Sequence, residues 1–131
     1  MTLVASSTTS DIGSVIATPV ETTKSEDKLS RVKFNAEEYT AHIEKWIDEM
    51  DEVLEPLKNF ILPSGGFTSS QLHVARTVCR RSERDVVSLI NRGQQGLEGV
   101  QKYLNRLSDF LFVSARFAAK IEGQSEVIYK K

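Results

Sequence analysis

These 131 residues contain one cysteine, Cys79, which excludes an intramolecular disulfide and fits a reducing compartment. Charge of one sign is also lacking: 17 Lys and Arg stand against 18 Asp and Glu. A nucleic-acid domain carries a basic excess on one face, so that function is disfavoured. No apolar run reaches the length that spans a bilayer. The two histidines, His42 and His73, lie far from each other and from any carboxylates at ligand spacing, so neither makes a metal site. There is no internal repeat. What remains is one soluble globular domain.

The first thirty or so residues are rich in Ser and Thr, carry Asp11, Glu21, Glu26 and Asp27, and have no arginine before Arg31. Transit peptides are arginine-rich and acid-poor, and a secretory signal needs an apolar core. Neither pattern is present. Residues 1–33 therefore read as a loop and partly disordered segment, with a turn at Thr18 and Pro19.

From residue 34 onward the pattern is helical. Asn35 and Glu38 have the form of a capping pair, and Ile43, Trp46, Ile47, Met50, Val53, Leu54 and Leu57 then recur at threes and fours up to Pro56, where a proline ends or kinks a helix. A second helix is expected after Gly65 and Gly66, capped by Thr68 or Ser69 and running to about Asn91. A third runs from about Gly99 to Ile121, with Val100, Tyr103, Leu104, Leu107, Leu111, Ser114, Ala118 and Ile121 on one stripe. Periodicity near 3.5 with short connections predicts an all-α helical bundle. Three such helices bury a modest core, and their apolar residues spread widely around the axes, so partners are expected.

The densest charge lies inside the second helix, in RTVCRRSER at residues 76–84. At 3.6 residues per turn, Leu72, Ala75, Cys79, Ser82, Val86 and Leu89 share one arc, the expected buried seam. Cys79 on that arc reads as a small core residue. Arg76 and Glu83 sit at its edge, Arg80 and Arg84 lie further round the same flank, and Arg81 points away. Arginine presents a planar fork of donors that stays charged, which suits carboxylate or phosphate. Glu83, three residues from Arg80, is placed to hold that fork. Spacing alone also admits a solvated ion-pair belt. On the third helix Asn105, Asp109, Phe112 and Arg116 form a second, mostly polar stripe, on which an aromatic suggests cover by another subunit or a ligand.

RTVCRRSER is preceded by FILPSGG and followed by YLNRLSDFLFVSARFAAKIEG, and these ordered motifs resemble the PduO class of ATP:cob(I)alamin (corrinoid) adenosyltransferases, the animal mitochondrial form especially. The likeness runs from about Asp11 to the C-terminus. It implies that residues 34–131 are the C-terminal part of a five-helix bundle that forms trimers with interfacial active sites. It implies ATP and cobalamin as substrates, with Mg2+, and transfer of the adenosyl group to Co(I) with release of triphosphate. Arg80, Arg81, Ser82, Glu83, Arg84 and Asn105 match the ATP-binding residues. Phe60 matches a phenylalanine packed on the lower face of the corrin, which keeps the lower base off cobalt. Arg76, and Asp109 with it, is implied in a salt bridge between subunits. No side-chain nucleophile is implied, because cobalt itself attacks.

Full-length members open with a TKTGDxG loop and a DELN helix, and neither occurs in these residues. The expectation is therefore either an adenosyltransferase portion or a catalytically silent partner bundle, assembling as a homotrimer or with full-length subunits. Family likeness points to the mitochondrion, and the missing transit pattern leaves the cytoplasm open.

Overall fold

The computed structural model describes residues 2–20, 32 and 34–130. The all-α architecture expected from the periodicity is present. In chain order the helices are α1 (Thr2–Ala17), α2 (Ala36–Asp51), α3 (Gly66–Asn91) and α4 (Glu98–Ile121).

The start of α2 follows from its cap. Asn35 accepts from the Glu38 backbone N–H at 3.3 Å, and its amide donates to Glu38 Oε2 at 2.9 Å, closing the expected reciprocal pair. The helix ends at Asp51, ahead of Pro56. Ile43 and Thr40 face inward, with Trp46 and Ile47 half-buried beside them. α4 is the central rod, with α2 and α3 packed on it. At its head Leu97 is 1% exposed, and burying such a side chain contributes ~1.5–3 kcal/mol. Val100, Tyr103 and Leu104 continue the core toward Cys79 and Val86 of α3. Phe34, Tyr39 and Tyr103 cluster, the ring of Phe34 meeting that of Tyr103 edge-on at 5.4 Å.

Three expectations need correction. The loop assigned to residues 1–33 is α1 over Thr2–Ala17; residues 21–31 and 33 lie outside the described residues. Ser and Thr are weak helix formers, but Ile12 is buried in the core with Val15 and Ile16 packed against it, and Thr8 is buried and hydrogen-bonded to the Tyr103 side chain. Tertiary burial outweighs propensity there. The turn at Thr18 does follow, Thr18 N–H donating to Val15 O at 3.2 Å.

The second correction concerns the cap of α3. Neither Thr68 nor Ser69 caps it; the helix starts at Gly66 after Gly65, without a side-chain cap. Gly65 has φ +94, and a Cβ there would stand 2.6 Å from the Ala119 Cβ of α4. Only glycine permits so close a crossing in that conformation. Ser69 instead donates to Ser64 O at 2.6 Å.

Third, the seam of α3 is turned from its expected centre. Ala75 is exposed, whereas Ser69, His73 and Glu83 are buried with Cys79 and Val86. Contact with α4 selects the His73 and Glu83 side, and the Ala75 side is left open between α1 and α4. Likewise Ile121, expected on the α4 stripe, is exposed at the end of that helix.

Candidate functional site

The centre of the RTVCRRSER turn is a carboxylate held from two helices. Glu83 is 8% exposed. Its Oε2 pairs with Arg80 Nη1 at 2.6 Å, and its Oε1 accepts from Asn105 Nδ2 of α4 at 3.0 Å. The burial of Glu83 against α4 brings together two residues separated by a helix boundary and a loop. A guanidinium and an amide are thereby fixed near each other by one anion, and the rest of the Arg80 fork stays accessible, its side chain being 46% exposed. Arg84 lies one turn further along the same rim and is exposed. Arg81 is exposed on the outer side of α3. Ser82 does not join this group: its hydroxyl donates to Val78 O at 3.2 Å and lines the open side of the helix.

One turn toward the N-terminus, the guanidinium of Arg76 lies over the Phe112 ring, 5.2 Å from its centroid. His73 meets the same ring edge-on at 6.1 Å. Phe112 is thus covered from within the chain by Arg76 and His73. His73 is 3% exposed, and among the described residues neither ring nitrogen has a hydrogen-bond partner. Burial lowers its pKa, the Arg76 charge lowers it further, and Glu126 acts in the opposite direction. Asp109 holds Arg106, at 3.2 Å, and Arg106 also reaches Glu44 of α2 at 3.2 Å. The arginine that Asp109 orders is therefore on its own helix.

Phe60 is 82% exposed, in the segment between α2 and α3. Its backbone is paired: Tyr129 N–H donates to Phe60 O and Leu62 N–H donates to Val127 O, both at 2.8 Å, around an antiparallel bridge between Ile61 and Ile128. Arg116 stands behind this pairing. It donates to Glu55 O at 2.8 Å and meets Glu126 Oε2 at 3.5 Å. The pairing of Arg116 with Glu126, and a role for the VIY run at residues 127–129, are not among the expectations from sequence. The alternation of that short β-prone run after Gly123 was the available signal.

Between α1, α3 and α4 lies an apolar groove of about 520 Å³, lined among others by Ile12, Ile16, Val78, Leu89, Leu107 and Leu111. Cys79 sits at its floor, donating to Leu104 O at 3.3 Å. Burial, with the Glu83 charge, pushes its thiol up to about 11, which makes it an inert core residue and not a nucleophile. Among the described residues no group of three or more His, Cys, Asp or Glu is placed to hold a metal ion. Among the described residues no helix is long and apolar enough to cross a membrane.

Comparison with known proteins gives a consistent result. The profile of the family described as cobalamin adenosyltransferase matches residues 3–118. The corrinoid adenosyltransferase MMAB of Mus musculus is 50% identical over 121 residues, covering 92% of this chain and 50% of that protein. The corrinoid adenosyltransferase of Bacillus subtilis is 42% identical over 95 residues, covering 72% and 49%. Among solved structures, a variant PduO-type ATP:corrinoid adenosyltransferase from Lactobacillus reuteri, complexed with cobalamin and ATP, superposes with a TM-score of 0.85 at 37% identity. That superposition covers 95% of this chain and 66% of the other. The chain spans about half the length of the curated relatives it matches.

Proposed function

Because this chain belongs to the cobalamin adenosyltransferase family, we propose that it forms the C-terminal portion of a corrinoid adenosyltransferase, which transfers the 5'-deoxyadenosyl group of ATP to Co(I) of cobalamin. In that reaction the substrate cobalt supplies the electron pair of the new Co–C bond, the C5'–O bond breaks, and its pair leaves with the triphosphate. Negative charge grows on the departing oxygen. The protein's contribution is fixed positive charge and position, and removing one such donor costs about 2.7–4 kcal/mol of transition-state stabilisation.

The observation that carries this reading is the buried Glu83 carboxylate gripping both Arg80 and Asn105. Arg80 and Arg84 are assigned to the triphosphate, and Asn105 to the nucleotide. Glu83 acts through Arg80 and Asn105 as a positioning residue. Arg81 lies on the outer face of α3 and is assigned a peripheral charge contribution; Ser82 is assigned to the helix surface. Glu83 is assigned no Mg2+ ligation: Oε1 accepts from Asn105, and Oε2, with no hydrogen-bond partner among the described residues, faces the Arg80 cation at 2.6 Å, which disfavours a second cation there; no step is routed through that ion. Phe60, exposed and apolar, is assigned to the lower face of the corrin substrate, where it excludes the lower base.

An assembly completes the site. The open groove and the exposed Phe67, Val74 and Val78 beside it favour a homotrimer or association with full-length subunits. Arg76 and Asp109, on the side of α3 and α4 away from the groove, are proposed to face a neighbouring subunit of their own, Arg76 by the donors that Phe112 leaves uncovered. The location is proposed to be mitochondrial, on the likeness to the animal form, and fractionation of cells expressing the tagged protein tests this.

The central test is isothermal titration of ATP into the chain, alone and mixed with a full-length relative, with triphosphate release followed in parallel. Loss of ATP binding in Arg80→Ala and Asn105→Ala, with the fold intact, is expected. Wild-type ATP affinity in both variants would falsify the assignment.

A further inference from the structure

An aromatic side chain with most of its surface in water has few contacts of its own to define its direction. Phe60 is such a residue, and its direction is therefore set by its backbone. That backbone is not left as a free loop. Leu62 N–H and Phe60 O are both bonded to the C-terminal segment at 2.8 Å, on either side of the Ile61 and Ile128 bridge. Side chains alternate across a paired strand. Ile61 turns inward and is half-buried, which sends Phe60 outward.

Two further bonds lock this pairing. Ser64 Oγ donates to Leu62 O at 2.8 Å and accepts from Val127 N–H at 2.8 Å, joining the two bridged segments at one end. Arg116, 8% exposed, reaches the Glu55 carbonyl before the Phe60 segment and the Glu126 carboxylate at the start of the tail. One buried cation on α4 therefore ties together both segments of the pair.

We propose that residues Glu126–Tyr129 are a strap that sets the aim of Phe60, with Arg116 as its buried anchor and as a positioning residue for the corrin side of the site. The relevance to corrin rests on the reading of Phe60 given above; the strap itself does not. Val127 and Tyr129 act through their backbone groups, and Tyr129 is the residue whose N–H holds Phe60 directly.

The test uses the full chain carrying 4-fluorophenylalanine at position 60, with Tyr129→Pro removing the N–H that binds Phe60 O. Fluorine NMR reads the ring, and hydrogen exchange reads the Leu62 amide. The expected result is a displaced, averaged fluorine signal and about fivefold to tenfold faster exchange at Leu62, with the melting temperature of the bundle nearly unchanged. An unmoved fluorine signal and unchanged exchange in the folded variant overturn the strap. If Tyr129→Pro does not fold, Ser64→Ala removes the link to Val127 and is scored by the same two signals.

Absorbance of bound Co(II) cobalamin in the assembled protein gives the functional arm. Tyr129→Pro is expected to raise the fraction with the lower base on cobalt, in the same direction as expected for Phe60→Ala. Should Phe60→Ala itself leave that spectrum unchanged, the corrin reading of Phe60 fails, while the fluorine and exchange signals still decide the strap.

Discussion

Asn105 on α4 donates to Glu83 on α3 at 3.0 Å, so the amide of one helix is set by a carboxylate of another. The other oxygen of that carboxylate holds Arg80. Glu83→Gln keeps the size of the side chain and removes its charge. It is expected to weaken ATP binding about fivefold, equivalent to about 1 kcal/mol for a partly exposed charged pair. Titration calorimetry on the assembled protein measures this, and Glu83→Asp, with a shorter reach, should recover only part of the loss.

Arg84→Ala removes a guanidinium on the accessible rim without touching the core. ATP affinity is expected to fall about tenfold, whereas stability should stay within about 0.5 kcal/mol, as for other surface changes. Calorimetric titration paired with thermal unfolding separates the two effects. A variant that binds ATP normally removes Arg84 from the nucleotide site.

At Gly65 a side chain meets both a left-handed backbone and the Ala119 Cβ. Gly65→Ala is expected to cost at least about 2 kcal/mol, from backbone strain plus overpacking. Urea unfolding gives the value. A loss under about 0.5 kcal/mol would mean that the segment shifts away from α4 without consequence.

His73 makes stability depend on acid. Its folded pKa lies below the ordinary 6.5, through burial first and the Arg76 cation second, with Glu126 opposing. The folded state then binds fewer protons than the unfolded one, so the contribution is complete above about pH 6.5 and is lost as pH falls below it. Urea midpoints at neutral and mildly acidic pH should differ more in the wild type than in His73→Gln. Equal pH dependence in the two proteins would show that His73 protonates without cost.

The parts of the fold written in local patterns are legible in the sequence. The Asn35 and Glu38 cap and the long periodic run of α4 are set by neighbours within a turn or two, whereas α2 stops at Asp51, short of the end expected near Pro56, and leaves Val53 and Leu57 exposed. Helix α1 was not readable, because Ser and Thr speak for a loop and only contact with Tyr103 and the core reverses that preference. On α3, the helical wheel identified the arginine rim and the Arg80 and Glu83 pairing, yet it centred the seam too near Ala75. An isolated wheel weighs apolar residues alone, whereas His73 and Glu83 are buried by what lies opposite them. Phe112 looked out of place on a polar stripe because its cover, Arg76 and His73, comes from another helix. Pairing of residues 60–62 with 127–129 spans most of a domain in sequence and leaves no mark in local periodicity.

The trough that Ile12, Val78, Leu89 and Leu111 border has a colloidal consequence. A copy set free in dilute buffer presents an oily furrow to water, so strongly salting-out anions should drive such copies together and mild detergent should keep them apart.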